Sequence, residues 1–411
     1  MSELHQAWFA YKDPRPGYAF EQVYQKRSVL NQGGTLTISL AFLSRAGTAN
    51  ETELPYTQAE NVESLTAGKL PEDYSNPLRL KDVYIIGYIT ADNRTEVKRL
   101  IMKHGALRAS FICDNSGFSG NTYYHDGDGG GHAIVIVGWD DSIETGGGKG
   151  AWLVKNSWGT GRHEGGFFWM SYAQEIYSAA VFVADNKTHG LKYKGYDWLG
   201  ATDTINYHWS ANIFRADENE NIREVAFHTH DNNVSYEIYV KKMGREKPVN
   251  PGATENITMS GVMPYAGYHS VSLSESISVE DGEYFSVILK LTGKSNYNYY
   301  TPVEDAATFR SATVNIGESY FAAANDAPDN TSWKEGTTLM ENGVGRACNA
   351  CIKVFTSQEG TTPSPTPEPN PTPEPNTESS EGGGGCEALS LSAIIGVLLA
   401  PKFRIDKFHQ Q

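Results

Sequence analysis

The 411-residue sequence has no basic excess and very little cysteine. Its 34 Lys and Arg stand against 49 Asp and Glu, a formal net charge of −15. Phosphate recognition needs a clustered basic footprint, so nucleic acid is excluded as a partner class. Four cysteines, Cys113, Cys348, Cys351 and Cys386, are too few for a disulfide scaffold. Cys348 and Cys351 form a lone C-x-x-C, which reads either as a structural disulfide or as two strand residues. There is no H-E-x-x-H and no Cys/His cluster at zinc spacing, so neither a metal nor a cofactor is expected. A serine elbow is missing too: "SGFSGN" (Ser116 to Asn121) has its second glycine one place early for G-x-S-x-G. No export signal opens the chain, which suits a lost N-terminus as well as a cytosolic protein.

Two apolar stretches are present instead. "GGGHAIVIVGWDD" runs from Gly129 to Asp141, and "AWLVKNSWGTG" from Ala151 to Gly161. His132 to Trp139 and Ala151 to Ser157 read as strands, rich in Ile, Val and Trp and bounded by glycines. Gly146, Gly147 and Gly148 between them make a hairpin the simplest joining. A loop centred near position 144 pairs 132 with 156. Directly opposite residues share a face of the sheet, with Cβ atoms roughly 5 Å apart. His132 and Asn156 are therefore expected to touch. The amide oxygen accepts the imidazole N–H, fixes the tautomer and leaves the other ring nitrogen open. That is the base-and-orienter half of a catalytic triad. Trp158, two residues beyond Asn156, is placed to cover the contact. The competing reading is a buried histidine satisfied by a neighbouring amide.

"GHAIVIVGW" around the histidine and "VKNSWGTG" around the asparagine resemble the papain-like cysteine peptidases. Upstream, "NQGG" (Asn31 to Gly34) followed by "ELPY" (Glu53 to Tyr56) resembles that family's cleft glycines and Tyr-Pro-Tyr region. "SELH" (Ser2 to His5) resembles the segment after its catalytic helix. The resemblance implies a two-lobe α+β peptidase domain over residues 1–187. In it His132 is general base and imidazolium partner, Asn156 its orienting amide and Trp158 the shield. Gly33 and Gly34 offer backbone to an extended polypeptide substrate, where a bare backbone allows close approach.

The nucleophile is what the family pattern lacks here. A Cys-Gly-Ser-Cys-Trp type segment belongs about 130–150 residues before the His and Asn, and none of the four cysteines lies in one. Cys113 ends the expected strand "ALRASFIC" and reads as a small buried hydrophobe. The spacing implies a start just past the catalytic helix, with the cysteine and the oxyanion glutamine upstream. One wall of the first lobe is then open, and Trp8, Phe9, Phe42 and Leu43 are expected to be partly exposed. Arg162 and His163 also replace the family's usual Trp-Gly after "NSWGTG". Two helices are expected, "GTLTISLAFLSRAG" (Gly34 to Gly47) and "DNRTEVKRLIMKHG" (Asp92 to Gly105). In the second, Asn93 and Glu96 read as a capping box, and Val97, Leu100 and Ile101 as an apolar stripe.

From about Gly190 alternating strands recur, among them "IREVAFHTH", "VSYEIYVKKM" and "EYFSVILKL". They read as an all-β sandwich over 190–356. "YDWLGATDT", "MPYAGYHSVSL" and "GEYFSVILKLT" resemble the lectin-like domain that follows bacterial papain-like peptidases. Carbohydrate is the partner this implies. Trp198, Trp209 and Tyr268 are candidate stacking residues, against the alternative that they fill the sandwich core. Residues 357–385 are a disordered Pro/Thr/Glu/Gly-rich linker. Residues 386–411 form a tail with Cys386, an apolar run short of the ~20 residues of a spanning helix, and basic residues. The tail resembles bacterial sorting tails, with Cys386 as the anchoring residue; a weak membrane anchor is the alternative. Two functions stay open: a cysteine-type peptidase whose nucleophile lies upstream, inactive as written, or a non-catalytic binding protein displayed on a bacterial surface.

Overall fold

The computed structural model describes residues 1–13, 29–31, 34–74, 79–185, 191–197, 204–254, 256–293, 300–305, 312–323, 328–329, 332–341, 344–345 and 347–358. Gly33, Trp198, most of the linker, Cys386 and the tail lie outside the described residues. The fold is α+β, mostly strands.

The helices are α1 (Glu3–Lys12), α2 (Leu36–Arg45), the single turn α3 (Val62–Leu65) and α4 (Arg94–His104). Ser2 caps α1 by accepting from the His5 N–H at 2.9 Å, and Thr35 caps α2 by accepting from Ile38 N–H at 3.3 Å. Each satisfies a donor that the first turn leaves unpaired. α4 buries Val97, Leu100 and Ile101, and Gly105 ends it at φ 90°. The expected capping box is not formed. Asn93 Oδ1 accepts from Thr90 N–H at 2.8 Å, and Glu96 pairs with Arg99 at 2.6 Å. Bonds from the side chain to the preceding loop have displaced the cap.

Strands β1 (Arg79–Ile89), β2 (Leu107–Cys113), β3 (Phe118–Ser119), β4 (Thr122–Tyr123), β5 (Gly130–Thr145), β6 (Gly148–Lys155), β7 (Phe167–Ser171) and β8 (Ile176–Asp185) build the first region. The second contains β9 (Lys192–Gly195), β10 (Thr204–Asn206), β11 (Trp209–Arg215), β12 (Glu220–Thr229), β13 (Val234–Gly244), β14 (Met259–Met263), β15 (Ala266–Val279) and β16 (Tyr284–Thr292). It continues with β17 (Tyr300–Asp305), β18 (Ser319–Ala322), β19 (Lys334–Glu335), β20 (Met340–Glu341), β21 (Val344–Gly345), β22 (Cys348–Ala350) and β23 (Ile352–Gln358). β23 thus reaches two residues into the expected linker.

One sheet has the order β3-β4-β7-β6-β5-β2-β8-β1-β15-β12-β23-β9, and a second has β14-β13-β16-β11-β18-β19. The two leaves enclose a core of Phe227, Phe285, Val287, Phe321, Ile352 and Val354. The first sheet runs through both regions, because β1 pairs with β15 from Asp82↔His269 to Ile85↔Ala266. Gly267 makes that junction possible. Its φ is 130°, and a Cβ there would lie 1.9 Å from the Val83 carbonyl oxygen. Arg79 strengthens the junction with a 2.8 Å bond to Glu224 of β12.

The expectation of an open first lobe is corrected. Phe9, Phe42 and Leu43 are 2, 5 and 1% exposed; of the four, Trp8 alone is partly exposed as expected. They share a core with Leu4, Val135 and Phe182, and with Tyr268 and Phe355 of the second region. Both sugar-stacking candidates among the described residues are likewise interior: Trp209 is 1% exposed and Tyr268 0%. Cys348 and Cys351 form no disulfide and are both buried. Cys348 lies in β22 and packs in the sandwich core.

Candidate active site

His132 lies near the start of β5, and Asn156 follows the last residue of β6. The hairpin closes more tightly than the glycine run suggests, with Thr145 paired to Gly148 across Gly146 and Gly147. Next to the site the register is Val135↔Lys155, not the offset that would pair 132 with 156. Irregularities at Ile136/Gly138 and Asp140/Glu144 absorb the difference. The slip is even, so both residues keep the same face. Asn156 reaches back, and its Oδ1 lies 2.9 Å from His132 Nε2.

The bonding assigns the tautomer. Asn156 Oδ1 also accepts from Ser157 N–H at 2.8 Å. A backbone N–H only donates, so this amide atom is the oxygen. Nε2 of His132 must then carry the proton, and Nδ1 holds the lone pair. Among the described residues nothing hydrogen-bonds Nδ1. The backbone beneath is tied as well, with Asn156 N–H donating to Gly166 O at 2.9 Å.

Aromatic rings hold the imidazole. Trp158 stacks on it at 5.0 Å between centroids and 27° between planes. Phe111, directly opposite His132 on β2, meets it edge-on at 5.7 Å. Sequence reading missed Phe111; only the β2–β5 register exposes it. His132 is 3% exposed, and burial lowers its pKa below the usual histidine value, partly offset by the bond to Asn156. Burial thus disfavours the charged ring, and one of its nitrogens stays open.

The replacements after "NSWGTG" are accommodated. Arg162 lies over the Trp158 ring at 5.6 Å, and His163 stacks on Phe118 at 4.4 Å. His163 adopts φ 54°, a conformation that favours glycine. Gly34 is half-buried immediately before Thr35, the cap of α2. Among the described residues no hydrogen bond joins Gly34 to His132. Cys113, 1% exposed, packs with Phe111, Tyr123 and Phe168 inside the core and is disulfide-bonded, so it offers the imidazole no free thiol. Among the described residues no group of His, Cys, Asp and Glu could hold a metal ion.

Comparison with known proteins gives these elements relatives. Residues 26–196 match the papain family cysteine protease, and residues 193–356 match the lectin like domain. Cathepsin B-like cysteine proteinase 6 of Caenorhabditis elegans is 33% identical over 108 residues, 24% of this chain and 27% of that protein. The match therefore spans little more than a quarter of the relative's length. The crystal structure of the cysteine protease and lectin-like domains of Cwp84, a surface layer associated protein of Clostridium difficile, is similar with a TM-score of 0.66 at 22% identity. It covers 87% of this chain and 79% of that one. A structure of clostridial Cwp84 after propeptide cleavage is similar at 0.62 and 23%, covering 87% and 88%. At these identities the likeness is one of fold.

Proposed function

For a chain that carries a papain-family peptidase domain followed by a lectin-like domain, we propose peptide-bond hydrolysis by a Cys-His-Asn triad of which it holds two members. His132 is the base, Asn156 the orienter, Trp158 the shield, and Gly33 and Gly34 the backbone that receives an extended polypeptide. The observation that carries this reading is the Nε2–Oδ1 bond of 2.9 Å, which leaves Nδ1 open. A cysteine supplied at Nδ1 gives up its S–H proton to that nitrogen. The thiolate attacks the carbonyl carbon, and the imidazolium Nδ1–H returns its proton to the leaving amine. Water then gives a proton to Nδ1 as its oxygen attacks the acyl carbon. The acid is released and the thiolate regenerated.

We place the peptidase domain at 1–187 and the lectin-like domain at 190–356, followed by the linker to 385 and an anchoring tail bearing Cys386. A bacterial cell-surface location is supported by the surface-layer association of the clostridial protein of like fold. Carbohydrate recognition by the sandwich belongs to this reading, through groups other than Trp209 and Tyr268, which are buried. The burial of Cys113, Cys348 and Cys351 supports inactivity of the 411 residues alone.

The test compares the chain as it stands with a form carrying an upstream cysteine-bearing segment. The first should neither hydrolyse peptides nor react with an epoxide probe. The second should hydrolyse peptides and lose that activity in His132→Ala. Epoxide labelling of Cys113 that depends on His132, or hydrolysis indifferent to His132→Ala, overturns the proposal.

A further inference from the structure

The helix that begins beside Gly34 ends in a buried set of charges supplied by the second domain. Arg45, the last residue of α2, donates from Nε to Asp197 Oδ2 at 2.6 Å and from Nη2 to Glu304 Oε1 at 2.9 Å. Ser44 Oγ donates to Asp197 Oδ1 at 3.2 Å. Lys353 Nζ of β23 donates to that same oxygen at 2.5 Å and to Ser44 Oγ at 2.7 Å. His228 Nε2 of β12 lies 3.3 Å from Asp197 Oδ1. Asn349 Nδ2 of β22 donates to Glu304 Oε2 at 3.1 Å, and the Tyr268 ring lies under Lys353 at 4.6 Å. Arg45 is 9% exposed; Asp197, Glu304, Lys353 and His228 are 2% or less. Two cations face two carboxylates, and burial holds His228 neutral, with its pKa near 4.

Such a cluster is a poor source of stability, because desolvation of the ions offsets their attraction. It is a strict specifier of position. Apolar packing tolerates sliding, whereas a fork that must meet two carboxylates at once does not. Here the segment after β9, together with β12, β17 and β23, grips the last turn of one helix. The other end of that helix, about 15 Å away at 1.5 Å per residue, carries Gly34.

We infer that Arg45 and Asp197 are positioning residues for substrate binding: through α2, the lectin-like domain sets where the cleft backbone at Gly34 stands. The inference rests on the peptidase reading of Gly34. It makes the sandwich part of the frame of the cleft, beyond any ligand of its own.

The test uses the full chain and Asp197→Asn, which keeps the side chain's shape and leaves a buried cationic excess. Amide hydrogen exchange of residues 36–45 should rise by about tenfold or more, with β5 and β6 unchanged. Adding Lys353→Met restores charge balance and should restore protection. In the cysteine-bearing form, Asp197→Asn should raise KM for an extended peptide several-fold with kcat retained, and the double variant should recover. If Asp197→Asn does not fold, Arg45→Lys carries the same test, since an ammonium cannot span both carboxylates. Unchanged exchange over 36–45, or loosening shared equally by β5 and β6, overturns the docking role. Loosened α2 with unchanged KM overturns the link to substrate. Absence of any hydrolysis in the cysteine-bearing form defeats the peptidase reading and the substrate link with it, while the exchange result still decides the docking.

Discussion

Replacing Gly267 by alanine should uncouple the two halves of the long sheet. Gly267 sits opposite Tyr84 in the β1–β15 pairing. Its φ is 130°, and an added Cβ would meet Val83 O at 1.9 Å and Ile85 N at 3.3 Å. Comfortable non-bonded contact begins near about 3.5 Å, so the strands must part by more than about 1 Å and leave hydrogen-bond reach. Loss of about two ladder bonds at ~1 kcal/mol each, with about 1–3 kcal/mol of backbone strain, totals about 3–5 kcal/mol. Gly87 of β1 supplies the control. Its φ is 77° and no heavy atom lies within 4 Å of its notional Cβ. Alanine there carries only the left-handed backbone cost, about 1–2 kcal/mol. Urea unfolding followed by tryptophan fluorescence should show Gly267→Ala far below Gly87→Ala, with one transition splitting into two as the domains separate. Equal losses, or a single unsplit transition in Gly267→Ala, would refute the claim that this junction couples the domains.

Two further outcomes can be measured. In the cysteine-bearing form, His132→Ala should remove at least about 10²–10⁴-fold of kcat/KM, and Asn156→Ala less. Trp158→Ala should combine with Asn156→Ala less than additively, because both act on one contact; strict additivity would return His132 to the status of a buried, satisfied histidine. Acid should destabilise the first domain through His5, fully buried and with its pKa lowered by burial from 6.5 to about 4. Its Nε2–H donates to Pro71 O at 3.1 Å, and Nδ1 accepts from Ala49 N–H at 3.5 Å, so protonation breaks the second bond. The unfolded chain binds the proton first. The stabilisation is therefore complete above about pH 6.5 and lost as pH falls toward 4, up to about 3 kcal/mol. Denaturation midpoints across that window should slope, and His5→Asn should flatten the slope; an unchanged slope removes His5 as its source.

The parts legible from sequence were those with a local period. The α4 stripe of Val97, Leu100 and Ile101 faces the core as read. The hairpin around His132 was legible to within an even slip, and only even slips preserve the face. Its bulges were not legible, since an index sum assumes one residue against one. The Asn93 cap failed because the same side chain had a partner in the preceding loop. The Arg45 cluster had no local signal at all. Its members come from α2, the segment after β9, β12, β17 and β23, and only the folded topology brings them together. The burial of Phe9, Phe42 and Leu43 was misjudged for a related reason, since Tyr268 and Phe355 from the far domain share their core.

Whether His132 is merely a satisfied core histidine can be argued from what its surroundings leave undone. His5, which is buried in the core, has both ring nitrogens answered. At His132 one nitrogen is bonded to Asn156 and the other has no partner among the described residues. Asn156 shows the same imbalance: Oδ1 accepts twice, while Nδ2 is buried and has no hydrogen-bond partner among the described residues. An unanswered buried amide donor costs about 1–3 kcal/mol. Stacking from Trp158 cannot remove that cost, because it satisfies no polar atom. A pair selected only for stability would be improved by apolar residues of similar shape. One imidazole nitrogen held open with the tautomer fixed is the arrangement that the proposed proton transfer at that nitrogen calls for.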